Sequence, residues 1–166
     1  MVFNYYYKLT KKQQFIYRKS DQIESLVLPE TDDFNVCIAA MREALLRENR
    51  HSVMKSAHGL INGIAVTLGI PQVQIKVLSV RPANTHGELH GLYETAADGD
   101  NACITVWMRT VKYKRVVAFK TFLRTLLHEF CHHLDYEYYR LADSFHTEGF
   151  FKRESSLLKQ LFPEGG

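Results

Sequence analysis

The stretch Thr125-Leu126-Leu127-His128-Glu129-Phe130-Cys131-His132-His133-Leu134 constrains this chain more than any other. With its histidines neutral, Glu129 is its one charged residue. Leu123, Leu127, Phe130 and Leu134 recur at helical spacing and form a packing face, with His128 and His132 turned away from it. Histidines four residues apart stand one turn apart on a helix, so both imidazoles reach a common point. A buried carboxylate is costly without a partner, so a lone Glu129 in apolar company requires a reason. The pattern His-Glu-x-x-His supplies one: two imidazoles take a Zn²⁺ and the glutamate, about 100° further round the helix, handles a water. The competing reading is a core helix with two semi-buried histidines.

A catalytic zinc site has three protein ligands and leaves a position for water. The third ligand must come from elsewhere, and the downstream candidates are Asp135, Glu137, His146, Glu148 and Glu154. Asp135 lies seven residues after His128 on the same face. A third ligand from one straight helix gives poor tetrahedral geometry, so Asp135 reads as a support for the ligands or a helix-end contact. His146 follows a polar break in Ser144-Phe145-His146-Thr147-Glu148-Gly149-Phe150-Phe151 that lets the chain turn back. Imidazole is the commonest metal ligand among side chains, which favours His146 over the acidic residues. Cys131, near the metal-facing side, reads as a buried thiol before it reads as a ligand.

These two segments together resemble the SprT-like metallopeptidases, the Spartan-type group. The resemblance rests on Leu126-Leu127-His128-Glu129-Phe130-Cys131-His132, a spacer, and then His146-Thr147-Glu148-Gly149-Phe150-Phe151, and it covers about residues 70–160. Thr147 stands where that family often has glycine, and Phe150 takes its aromatic place. The resemblance implies a compact zincin, zinc held by His128, His132 and His146, and Glu129 as general base acting on a polypeptide. Many members carry a C-terminal ribbon of paired cysteines; this chain ends at Gly166 without one, which weakens any carry-over of DNA repair. A second resemblance is to the ImmA/IrrE-like regulatory peptidases, whose third ligand is a downstream glutamate; Glu148 or Glu154 would fill that role.

The 166 residues suit one domain with a sizeable core, and 46% apolar with 23% charged residues are ordinary globular values. No run of 18 apolar residues is present, so no membrane span is expected. The opening Met1-Val2-Phe3-Asn4-Tyr5-Tyr6-Tyr7-Lys8 lacks the pattern of a cleaved signal. Cys37, Cys103 and Cys131 are odd in number, far apart and set in apolar patterns, so they read as reduced core residues of a cytoplasmic protein. Net charge is a mild +3, but Arg109, Lys112, Lys114, Arg115, Lys120 and Arg124 crowd the approach to the histidine helix. A second basic run, Lys8 to Lys19, is interleaved with Tyr5, Tyr6, Tyr7, Phe15 and Tyr17. Such segments are either solvated surface or nucleic-acid contacts. The SprT-like resemblance adds an expectation of weak, salt-dependent DNA binding through Arg109, Lys112, Lys114 and Arg115.

The chain order reads as three helices, three strands and two helices, an α+β arrangement. A polar helix is expected over 9–27, with residues 1–30 as a loosely docked arm ended by Pro29. Thr31-Asp32-Asp33 offers a cap for a helix to about Glu48, and a third helix runs from about Ser52 to Leu68, stopped by Gly69 and Pro71. Val73, Ile75 and Val77 alternate with polar residues as in a half-buried strand. Leu89–Glu94 and Ala102–Met108 are expected to pair as a hairpin across Asp98-Gly99-Asp100-Asn101. The histidine helix spans 117–136 and the last helix 148–161. An edge of the hairpin can take an extended peptide. Tyr136, Tyr138, Tyr139 or His90 are candidates to stabilise an oxyanion. The rival outside catalysis is a zincin-like binding module whose metal is closed by a fourth ligand, Asp135 or Cys131.

Overall fold

The computed structural model describes residues 1–84, 87–97 and 99–163, with the backbone alone for Asn84, Gly87 and Glu88. The fold is α+β, with five helices around a small three-stranded sheet. A 3-10 turn, Asn4–Lys8, precedes α1 (Lys11–Asp21), α2 (Asp32–Leu46) and α3 (Arg50–Leu68). Thr10 and Gln13 close a capping box on α1, Thr31 accepts from the Asp33 amide, and Asn49 accepts from the Ser52 amide. Gly69, at φ 70°, ends α3 in the left-handed conformation that glycine takes without penalty.

The strands are β1 (Gln74–Val80), β2 (Ala83–Asn84), β3 (Gly87–Glu88), β4 (Gly91–Glu94) and β5 (Cys103–Arg109). The main sheet has the order β1-β5-β4, with β5 parallel to β1 and antiparallel to β4. Gly91 faces Val106 and Glu94 faces Cys103, so the expected pairing of these two segments is present. Asp98 of the expected turn lies outside the described residues, and the short β2–β3 pair was not anticipated. Every residue of β5 from Cys103 to Met108 is buried, as befits a central strand covered on both faces. The Asn62 amide ties α3 to the start of β1 by bonding both the carbonyl and the amide of Val73, at 3.0 and 2.8 Å.

Two helices complete the fold, α4 (Phe119–Glu137) and α5 (Glu148–Leu161). α4 lies across β4 and β5 and packs along α5. No helix among the described residues is long and apolar enough to cross a membrane.

The N-terminal region departs from its expected form. α1 ends at Asp21, not near residue 27; Gln22 is its helical C-cap, and 23–31 forms neither helix nor strand. A distant side chain captures the backbone there: Gln160 donates to the Leu26 carbonyl at 2.7 Å and accepts from the Leu28 amide at 2.8 Å. Leu26 and Leu28 turn inward on either side of exposed Val27. Nor is the segment loosely docked, because Tyr17 and Ser20 are fully buried against the rest of the molecule.

Candidate metal centre

α4 places the first two histidines as helical spacing requires. Leu123, Leu127, Phe130 and Leu134 are buried in the core, and His128 and His132 emerge together on the other side. Arg140, at φ 56°, helps reverse the chain after α4, and Thr147 starts α5 by accepting from the Phe150 amide at 2.9 Å. His146 stands just before that cap. Its Nε2 lies 3.1 Å from Nε2 of His128 and 3.0 Å from Nε2 of His132. Zinc–imidazole bonds of about 2.0–2.1 Å in a tetrahedral shell separate ligand nitrogens by about 3.3 Å, close to these two separations, and the ligand atoms of all three lie within 4.8 Å of one another. Among the described residues, these three form the one group of His, Cys, Asp and Glu side chains able to hold a metal. Phe150, fully buried, is the floor of the site, with its ring 5.0, 4.8 and 5.2 Å from the rings of His128, His132 and His146.

The back side of each helix-borne imidazole is held. Nδ1 of His128 lies 2.6 Å from Oε1 of Glu154, whose Oε2 accepts from Arg124 at 3.1 Å. Nδ1 of His132 lies 2.7 Å from the Ser144 hydroxyl, which donates to Oδ2 of Asp135 at 2.7 Å. Oδ1 of Asp135 takes the guanidinium of Arg153 at 2.9 Å, and both members of this ion pair are buried. With Nδ1–H donating in each case, the Nε2 lone pairs point to the shared position. Burial, with His146 and His128 adding, pushes His132 down to about 3. Burial, then His128, also lowers His146, against the opposing Glu154. Neutral imidazoles are the form that binds a metal.

Glu129 is buried beside the histidines. Burial pushes its carboxyl up to about 7; His128 opposes this and Glu154 adds to it. The backbone of β4 approaches closely, since a Cβ at Gly91 would lie 2.9 Å from both Glu129 Cγ and Thr125 Cγ2. β4 is also an edge of the sheet.

The remaining sequence candidates fall elsewhere. Glu154 lies behind His128 and Asp135 behind His132 through Ser144, and neither joins the three-histidine group. Glu148 pairs with Lys152 at 3.4 Å, and Glu137 lies 3.7 Å from Arg140. Cys131 is buried outside the cluster. His58 lines a separate groove beside β1 with Gln72 and Gln74. Tyr136 stacks on Tyr93, Tyr139 packs on the Arg153 guanidinium, and Tyr138 and His90 are exposed.

Sequence reasoning missed Ser144, Arg153, Tyr93 and His133. Arg153 and Glu154 carried a signal: both fall on the α5 face shared by Phe150, Leu157 and Leu161, where charges need buried partners. His133 clamps α4 to the sheet, with Nε2 2.8 Å from the Pro71 carbonyl and Nδ1 2.9 Å from the Tyr93 hydroxyl. No family model matches the chain, and no curated protein or solved structure matches it significantly.

Proposed function

We propose that the protein is a zinc-dependent peptidase of the SprT-like kind. The observation that carries this reading is the convergence of three imidazole Nε2 atoms beside a buried glutamate, with no fourth ligand among the described residues. A structural zinc site is closed by four ligands, whereas a three-ligand site leaves room for water. The loop-borne His146, and not Glu148 or Glu154, completes the set, which favours this reading over the regulatory-peptidase alternative.

When bound, zinc would polarise a water and the scissile carbonyl. His128, His132 and His146 would hold it. Glu129 takes the proton from the attacking water and passes it to the leaving amine. Its burial against Gly91 keeps the carboxylate in place and out of bulk solvent. The exposed edge of β4, beside Glu129, is suited to pair with an extended polypeptide.

Three unpaired cysteines, Cys37, Cys103 and Cys131, suit a reducing compartment, and we assign the protein to the cytoplasm. A weak DNA contact is a further part of the proposal. Lys112 and Arg115 both lie over the exposed ring of Tyr113, an arrangement suited to phosphate and base. Arg109 contributes less than expected, because its guanidinium is engaged by Glu48 at 2.6 Å and by the Lys114 carbonyl at 3.1 Å.

The decisive variant is Glu129→Gln, whose amide cannot accept the proton. Zinc content and melting temperature should match wild type, while cleavage of an unfolded protein substrate disappears. Cleavage at the wild-type rate would refute the role of Glu129.

A further inference from the structure

We propose that the N-terminal segment from Tyr5 to Asp21 is a positioning element of the metal centre, with Tyr5 the positioning residue for His146. The inference rests on reading His128, His132 and His146 as metal ligands. The first two are fixed by α4 and by the groups behind their Nδ1 atoms. His146 stands in the connection between α4 and α5, and is the most exposed of the three.

That connection is braced residue by residue from the other end of the sequence. The Tyr5 hydroxyl donates to the His146 carbonyl at 2.7 Å. The rings of Tyr5 and Tyr17 lie 6.5 and 6.2 Å from that of Phe145. The hydroxyls of Ser20 and Thr147, both fully buried, meet at 3.1 Å. Asp21 Oδ1 accepts from the Gly149 amide at 3.0 Å. Gly149 permits this approach, since a Cβ there would lie 2.5 Å from the Asp21 carbonyl oxygen and 2.7 Å from that of Ser20. Arg153 then locks the end of α1, donating to the carbonyls of Ser20 and Ile23 at 2.7 and 2.6 Å, while its other arm holds Asp135. The segment therefore touches the third ligand directly and the support of the second through one guanidinium.

Loss of a brace lowers the fraction of time His146 spends where it can ligate, and metal affinity falls by that fraction. The coupling is reciprocal, so metal binding must tighten docking of the segment by the same factor.

The test uses the full chain and Zn²⁺ in competition with a chromophoric chelator. Tyr5→Phe keeps the ring and removes one hydrogen bond, and should weaken Zn²⁺ binding about three- to tenfold. Asp21→Ala, which removes a different contact, should shift affinity in the same direction. Tyr7→Phe, at a side chain 73% exposed, should not. In wild type, Zn²⁺ should slow amide exchange across residues 11–21, and His146→Ala should abolish that slowing. Absence of Zn²⁺ binding by wild type overturns the ligand reading and this inference with it. Wild-type binding that Tyr5→Phe and Asp21→Ala leave unchanged, with only the metal-free melting temperature lowered, overturns this inference alone.

Discussion

His128 and His132 differ from His146 in what holds them. The pair stands on one long helix, its packing face buried in the core and its Nδ1 atoms engaged by Glu154 and Ser144. The third histidine stands on an irregular connection, and its backbone is held by Tyr5 from more than a hundred residues away in sequence. Helix geometry fixes the spacing of the pair before any tertiary contact forms. The third histidine is placed by contacts between α1, α4 and α5 that no single element supplies. The centre is thus half local and half tertiary, and the two halves should fail differently.

The largest expected effect separates chemistry from both halves. Glu129→Gln should lower kcat by about 10²- to 10⁴-fold, the usual worth of a general base, while Zn²⁺ affinity holds. Next is the buried ion pair beneath the helix-borne half. Asp135→Ala leaves Arg153 buried without its carboxylate and should cost about 3–5 kcal/mol, measured by denaturant unfolding. An unchanged unfolding midpoint would mean that Arg153 finds another partner.

A smaller effect compares the two supports. Glu154→Gln and Ser144→Ala should each weaken Zn²⁺ binding by about 10- to 100-fold, as is typical for groups behind a ligating imidazole. Glu154 bears its charge directly on His128, whereas Asp135 reaches His132 through a hydroxyl, so the Glu154 variant should lose more. The reverse order in a chelator titration would show that the relay dominates. Gly91→Ala should leave zinc in place and displace Glu129, lowering kcat by about ten- to a hundredfold, the scale of a misplacement of about 1 Å. Smallest is the basic loop. Lys112→Gln, Lys114→Gln and Arg115→Gln together should abolish a weak DNA contact whose affinity falls with salt by about one power per neutralised phosphate. Fluorescence anisotropy at two salt concentrations reads it, and binding unchanged in the triple variant returns the loop to solvated surface.

What was legible in the sequence follows the same division. The spacing of His128 and His132, the packing face of Leu123, Leu127, Phe130 and Leu134, the stop at Gly69 and the alternation of Val73, Ile75 and Val77 are all local. Each follows from the period of one element and stands where expected. The end of α1 at Asp21 was not legible, because Gln160 and Arg153 take the backbone groups that a longer helix would have used. Ser144 looked like one polar residue in a turn, and nothing nearby in sequence points to its contact with His132. Glu154 was legible only as an alternative to His146, and its place behind His128 was not: a carboxylate behind an imidazole and one on a metal leave the same trace in a sequence.

The central claim is that three imidazoles and no carboxylate hold one ion. X-ray absorption on the zinc-loaded protein tests it most directly. The account predicts three imidazole nitrogens at about 2.0–2.1 Å with one further light-atom ligand, and loss of one imidazole from the shell in His146→Ala. A shell of two imidazoles and a carboxylate, or one unaltered in His146→Ala, would contradict it.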